Sequence, residues 1–379
     1  MFQVARGLAG ALRPLPYVGV LLAACGTEAA PIRIGLAGPL TDSVGAPMRR
    51  AAELAVQEIN AAGGIAGRPI ELIPRDDRGD PDSAIAVAIE LERAGVVAVV
   101  GHVYSSATLA AAPVYNGATR PVVQISPSSS APEVTRAGPW TFRVCPSDLQ
   151  HGAALARFAR NRLGLNRGTI LYLNNDYGRG IRSVFAAEFV RRGGVIEDMA
   201  PYLGAEPDLG PYLDRIALRR ASEFIFLAGN RGEAEVALRG MRARGLRLTV
   251  LGGDGLEGIE RAGSLAEGVF VSSAYLAAVQ TPRNQAFLAA YRARYPGAPL
   301  PNQAAAASYD ILYLLRDVIA RTGPDRARIR DGVAAIGTTA PAFEGVTGTI
   351  AFDPDGDVPN QPVYIGRVAG GGIEPAEGS

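Results

Sequence analysis

Ser105 and Ser106, in the segment GHVYSSATLA, stand between a short apolar run and a stretch of helix-forming alanines. The run, Gly95 to Val100 (GVVAVV), is β-branched and apolar on both faces, which predicts a strand buried in a parallel sheet. A serine at such a strand exit can cap the next helix, act as an activated nucleophile, or cradle an anionic ligand at the helix N-terminus. Nucleophilic chemistry finds little support. A nucleophile elbow needs Gly two residues to either side, and Val103 and Ala107 occupy those positions. The only imidazoles are His102, too near in sequence to turn back on Ser105, and His151, which in SDLQHGAALARF reads as an exposed position at a helix start. The chain contains no lysine, so a P-loop lysine, a Schiff base and a Ser-Lys dyad are excluded.

Metal and cofactor chemistry are equally unsupported. The two His and two Cys show no ligand spacing. The acidic segment RDDRGDPDS, with Asp76, Asp77, Asp80 and Asp82, lacks the closing Glu of a calcium loop, since Val87 stands there. It reads instead as a strand-to-helix turn with Pro81 in the first helical turn. A G-x-G-x-x-G occurs at Gly253, Gly255 and Gly258, but Asp254 inside it would set a negative charge beside a pyrophosphate. No metal and no cofactor are expected.

Charge-matched binding remains. Ser105 and the serines of ISPSSS (Ser126, Ser128, Ser129, Ser130) supply hydroxyl and backbone N–H donors for a carboxylate. Asp254, at another strand exit, can accept from an ammonium, and Tyr177 can add an aromatic wall with a polar tip. A carboxylate cradle facing an ammonium acceptor is the complement of a free α-amino acid. The alternative for each serine is capping, which suits Ser126 and Ser129 best, and Asp254 can equally cap the next helix.

The elements that must position these residues follow from the pattern. Short apolar runs predict strands at Ile32 to Ala37, Ile70 to Pro74, Val96 to Val100, Pro121 to Ile125, Thr169 to Asn174, Glu223 to Leu227, Thr249 to Leu251 and Gly268 to Ser272. Helical segments alternate with them, as in Pro47 to Ala61, where Ala51, Leu54, Ala55 and Ile59 share a face. This alternation predicts an α/β protein of doubly wound parallel sheets. Gly63-Gly64 and Gly193-Gly194 each follow a strand and helix and precede a second strand, an echo that suggests two similar lobes. Ligands bind such sheets at the carboxyl ends of the strands. Those ends read GPLTDSVG, RDDRGDP, GHVYSSAT, ISPSSSAPE, NNDYGRG, AGNRGEA and GGDGLEG, rich in hydroxyls, amides and carboxylates.

At 379 residues the chain is long for a single core, and its net charge of +1 favours neither nucleic acid nor an acidic membrane surface. Arg6 and Arg13 precede the apolar stretch Leu15 to Ala24, which is too short to span a bilayer and reads as a signal peptide over residues 1–24. It ends in Leu22-Ala23-Ala24-Cys25, which resembles the lipobox of bacterial lipoproteins and implies lipidation of Cys25 and a tether over residues 25–31. Only Cys145 is left, so no internal disulfide is expected.

Taken in order, IRIGLAGPLT, QEINAAGGIAGRPIEL, DDRGDPDSAIAVAIEL, VVGHVYSSAT, ISPSSSAPEVT, FRVCPSDLQHG, NDYGRG, LGGDGLEG, SYDILYLLRDVI and FDPDGD resemble the substrate-binding proteins of branched-chain amino acid ABC transporters, with the type I periplasmic binding fold. The resemblance implies two lobes in a Venus-flytrap arrangement, 32–145 plus 275–358 and 148–272 plus 362–372. Three hinge crossings would lie near Val144 to Ser147, Ser272 to Tyr275 and Pro359 to Pro362. It implies ligand contacts from Ser105, Ser128, Ser130 and Tyr177, with Asp254 as the ammonium partner.

The sequence also departs from its relatives. Gly79 and Tyr104 stand where relatives carry a disulfide, Val44 is the nearest match to a covering aromatic, and Asn230 stands where relatives can have Tyr. Tyr104, Asn230 and Arg231 therefore suit a more polar ligand than Leu, Ile or Val. The function so implied is capture of an amino acid or related small carboxylate outside the cell, without enzymatic chemistry. The bound ligand would then be delivered to ABC permease subunits, with the protein lipid-anchored on the outer face of the cytoplasmic membrane. The alternative is a ligand-sensing module, an amide or amino-acid sensor acting with a separate signalling partner. A secreted hydrolase would need a base that the sequence hardly supplies.

Overall fold

A computed structural model describes residues 1–3, 30–204 and 208–376. Cys25, nearly all of the leader and most of the tether lie outside the described residues.

The first sheet is built from β1 (Ile32–Gly38), β2 (Ile70–Asp76), β3 (Ala98–Val100), β4 (Val123–Ser126) and β5 (Thr141–Arg143), separated by α1 (Gly45–Ala61), α2 (Pro81–Arg93) and α3 (Ser105–Gly117). All of its strand pairs are parallel, in the order β2-β1-β3-β4-β5. The chain then leaves for a second sheet through α4 (Asp148–Asn161), β6 (Arg167–Leu173), α5 (Asp176–Arg191), β7 (Val195–Tyr202) and α6 (Gly210–Arg219). That sheet is completed by β8 (Phe224–Ala228), α7 (Arg231–Ala243), β9 (Thr249–Gly252) and β10 (Phe270–Ser273). After β10 the chain returns to the first lobe with α8 (Pro282–Arg294), α9 (Gln303–Thr322), α10 (Arg326–Ala334) and the short pair β11 (Phe343–Glu344) and β12 (Thr349–Ile350). It crosses a last time to add β13 (Tyr364–Ala369) and β14 (Gly372–Pro375) to the second sheet as antiparallel strands.

The parallel part of the second sheet runs β7-β6-β8-β9-β10, which repeats the order of the first sheet. The Gly-Gly echo therefore marks a duplicated topology, although its two glycine pairs differ in detail. Gly63, Gly64 and Gly193 are left-handed (φ +98°, +70° and +79°), whereas Gly194 is small because a Cβ there would lie 2.2 Å from the Phe189 ring.

Helices cover both faces of each sheet, as the doubly wound reading requires. In the first lobe one face packs Ile34, Leu36, Val100 and Ile125 against α1 and α9, and the other packs Ala37 and Val99 against α2 and α3. In the second lobe Ile170, Phe224 and Phe226 meet α4 and α5, while Leu171, Ile225 and Leu227 meet α6 and α7. Each such Val, Leu, Ile or Phe side chain contributes about 1.5–3 kcal/mol through burial.

The strand expected to begin at Val96 begins at Ala98, and that expected at Gly268 begins at Phe270. β5, β11, β12, β13 and β14 were not expected. β5 has three residues and ends in an arginine, a pattern that periodicity cannot separate from a loop.

That arginine, Arg143, is 1% exposed. Its Nε and Nη2 donate to the two carboxylate oxygens of Asp357 at 2.8 and 2.5 Å, and its Nη1 donates to the carbonyls of Ser130 and Ala131 at 3.0 and 2.8 Å. One buried cation thus ties the loop after β4 to a distant loop of the same lobe. Removing a single partner from a buried pair leaves the other charge unpaired, at a cost of about 3–5 kcal/mol. Arg143→Met is expected to lower the unfolding free energy by about 3 kcal/mol or more in urea titration; a loss under about 1 kcal/mol contradicts this role.

Candidate functional site

The carboxyl ends of both sheets converge on one interlobe cleft. Val44, Val103, Tyr104, Ser105, Ser128 and Ser130 line it from the first lobe, and Asn175, Tyr177, Asn230, Asp254, Gly255 and Glu257 from the second. The fold therefore brings all seven expected site residues, Tyr104, Ser105, Ser128, Ser130, Tyr177, Asn230 and Asp254, onto one cavity. A larger surface hollow in the second lobe, among Leu246, Arg247, Glu267 and Phe270, lies at the starts of β9 and β10, away from the carboxyl ends of the strands.

Ser105 is the first residue of α3, and Tyr104 takes the cap position without a side-chain bond. Ser105 Oγ accepts from the backbone N–H of Ala131 at 3.2 Å, which joins the two serine loops. Ser126 and Ser129 are turn-formers, as capping propensity predicts. Ser126 Oγ donates to the His102 carbonyl at 2.7 Å and accepts from Ser129 N–H at 2.9 Å, while Ser129 Oγ donates to the Val103 carbonyl at 3.0 Å. Ser130 differs: its buried hydroxyl makes no hydrogen bond of normal length among the described residues, though it lies near enough to the Asp148 carboxyl to pull that group's pKa down. A buried hydroxyl on a cavity wall without a bond costs about 1–3 kcal/mol unless a ligand supplies one.

On the opposite wall, Tyr177 O–H donates to Asp254 Oδ1 at 2.9 Å and accepts from Gly255 N–H at 2.8 Å. A Cβ at residue 255 would lie 2.6 Å from both the Gly229 carbonyl and the Tyr177 ring, so only glycine permits this approach. Asp254 caps no helix; the capping alternative is not realised. Its side chain is free to face the cavity.

His151 corrects the sequence reading. It is fully buried, not exposed, with Nδ1 3.0 Å from Ser272 Oγ and Nε2 3.8 Å from Asp254 Oδ2. Burial lowers its pKa despite the attraction of Asp254, so it stays a neutral ring and brings no counter-charge. Asp148, also fully buried, has no partner on either carboxylate oxygen among the described residues. Burial and then the charge of Asp254 hold its pKa well above the usual carboxylate range. Neither neighbour had a sequence signal, because the helix start at Asp148 is turned into the lobe interface rather than toward water.

The Tyr104 ring lies on Gly79, where a Cβ would stand 2.5 Å from that ring. Asp77 and His102, both fully buried, join the same two loops at 2.5 Å. Arg231 does not line the cavity; its guanidinium lies 3.5 Å from Glu235.

Glu257, Asn175, Gly255 and Val103 line the cleft without having been expected there. Glu257 lies within the quoted GGDGLEG, three residues after Asp254, and that spacing was its only signal. Its Oε1 accepts from Gln303 N–H across the lobe boundary. Other bonds that span the lobes run from Ser106 Oγ to Asp176 Oδ2 at 3.0 Å, from Arg261 Nη1 to the Ser43 carbonyl at 3.3 Å and, beside the first crossing, from Asp148 N–H to the Ser130 carbonyl at 2.7 Å. Among the described residues, no cluster of His, Cys, Asp and Glu could hold a metal, and no helix is long and apolar enough to cross a membrane.

Residues 31–372 match the family model described as periplasmic binding protein. The chain is 30% identical over 338 residues to the leucine-, isoleucine-, valine-, threonine- and alanine-binding protein of Pseudomonas aeruginosa, covering 87% of each chain. The solved branched-chain amino acid transporter substrate-binding protein of Streptococcus pneumoniae, in complex with isoleucine, superposes with a TM-score of 0.83 at 28% identity, covering 92% of this chain and 99% of that one. A solute-binding protein of an ABC transporter from Rhodopseudomonas palustris, in complex with 3,4-dihydroxybenzoic acid, gives 0.79 at 25% identity, covering 91% and 95%.

Glu257 makes the cleft sensitive to pH. Burial lifts its carboxyl from 4.5 to about 8, and the charges of Asp254 and Glu260 push the same way against the Gln303 N–H. Between those values the folded chain holds a proton that the unfolded chain releases, so this group's contribution to stability is full below 4.5 and falls as pH rises toward 8. Urea midpoints at pH 5 and pH 8 are expected to fall more steeply for the parent than for Glu257→Gln; equal slopes contradict the shift.

Proposed function

The chain belongs to the periplasmic binding proteins, a non-enzymatic family, and from that premise we propose that its interlobe cleft captures a free α-amino acid and hands it to an ABC permease. The observation that carries this reading is Asp254, a nearly buried carboxylate held by the Tyr177 hydroxyl, with a neutral imidazole 3.8 Å away. It sits across the cleft from two serine loops, one with a hydroxyl that makes no hydrogen bond of normal length among the described residues. A zwitterion satisfies both walls at once: its carboxylate meets Ser105, Ser128 and Ser130, and its ammonium meets Asp254. A related small carboxylate without the ammonium satisfies only the first. The named relatives that bind leucine, isoleucine and other amino acids support the same class.

In this mechanism the ligand docks first on the serines of lobe one. Closure then brings Tyr177 and Asp254 from lobe two, with the boundaries 32–145 plus 275–358 and 148–272 plus 362–372. Exclusion of water strengthens each charged hydrogen bond. The bonds Ser106–Asp176, Glu257–Gln303 and Arg261–Ser43 latch the closed form, which presents both lobe surfaces to the permease in a single geometry. We place the protein outside the cytoplasmic membrane, anchored through a lipidated Cys25, on the strength of the Leu-Ala-Ala-Cys motif and the family.

Replacing Asp254 by Asn exchanges a charge-assisted bond for a neutral one. Calorimetric titration of Asp254→Asn with an amino acid that binds the parent is expected to show at least tenfold weaker affinity, about 1.4 kcal/mol. Unchanged affinity removes Asp254 from the site.

A further inference from the structure

The cleft wall carries two carboxylates, Asp254 and Glu257, and no arginine or histidine side chain among its lining residues. An α-amino acid brings one ammonium, which Asp254 takes. Once the serines and Asp254 hold the backbone end of the ligand, Val44, Tyr104, Asn230 and Glu257 are left for its side chain.

The neighbouring cations do not answer Glu257. Arg261 is turned to the Ser43 carbonyl and Glu260, Arg231 lies by Glu235, and Glu257 forms no ion pair among the described residues. Gln303 N–H occupies Oε1 only, and Tyr104 O–H is committed to Asp42 Oδ2 at 3.2 Å. An aliphatic side chain placed here would bury the remaining carboxyl oxygen against hydrocarbon. That leaves a polar atom unsatisfied, the strongest form of discrimination a binding pocket has. A side-chain N–H would instead be met by Glu257, while Asn230 is engaged with Glu233 in the capping box of α7.

We infer that Glu257 is a specificity-determining residue and that the ligand is an amino acid whose side chain bears an N–H donor, an ammonium, guanidinium or amide, rather than a branched aliphatic one. This rests on the amino-acid reading of the cleft. Burial raises the pKa of the Glu257 carboxyl, so binding of a cation beside it is coupled to release of its proton and strengthens as pH rises toward about 8.

The test is calorimetric titration of the purified protein with lysine, arginine, glutamine and asparagine, and with leucine, isoleucine and valine, repeated on Glu257→Gln. At least one donor-bearing amino acid is expected to bind tenfold or more tightly than every aliphatic one, and Glu257→Gln is expected to shrink that ratio at least fivefold. An aliphatic amino acid that binds as tightly as the best donor-bearing one overturns the inference while leaving the amino-acid reading intact. So does a ratio unchanged in Glu257→Gln. If that variant does not fold, the parent's ratio alone decides. No binding from either set overturns the amino-acid reading and this inference with it.

Discussion

A carboxylate taken out of water needs a cation, and the walls around Asp254 supply none. Desolvating an ionised group costs several kcal/mol unless it is paired or well hydrogen-bonded. Asp254 has the Tyr177 hydroxyl, a neutral His151 at 3.8 Å and, behind it, the buried Asp148. The rest of the molecule can be read as the apparatus that holds this deficit in place. β6 and β9 aim Tyr177 and Asp254 at each other, and Gly255 lets the backbone come close enough to donate to the same hydroxyl. Facing them, Arg143 draws the carbonyls of Ser130 and Ala131 behind the loop that follows β4. The cleft is thus negative on one wall and donor-rich on the other, and only a molecule with both charges answers both.

Two duplicated sheets provide a simple way to reach this arrangement. Each sheet gathers the ends of its strands on one edge, and joining the lobes by three passes sets the two edges face to face. Neither lobe alone encloses a ligand. In the proposed closure, movement at the hinge would decide whether Ser106 reaches Asp176 and Glu257 reaches the start of α9. A bound ligand that bridges the walls favours the closed arrangement by its own differential affinity for it.

Much of this was legible in the sequence, because the signals are local. Buried parallel strands announce themselves as β-branched runs, and their ends are the loops in which Ser105, Ser128, Ser130, Tyr177 and Asp254 were found. What was not legible depends on partners far along the chain. Arg143 looks like a surface residue until Asp357, more than two hundred positions away, is folded onto it. His151 has the flanks of an exposed helix start and is buried only because β10 brings Ser272 over it. Glu257 becomes part of the wall through its bond to α9 of the other lobe, which no spacing within GGDGLEG could reveal.

The most direct measurement is a thermal-shift screen of the purified protein that pairs α-amino acids with the same skeletons lacking either the ammonium or the carboxylate, together with aromatic carboxylates such as 3,4-dihydroxybenzoic acid. A ligand at a hundred times its dissociation constant should add about 2.7 kcal/mol of stability. The account predicts stabilisation by at least one intact α-amino acid and none by its two truncated partners. Stabilisation by a plain carboxylate, with no response to any amino acid, would contradict the role given to Asp254.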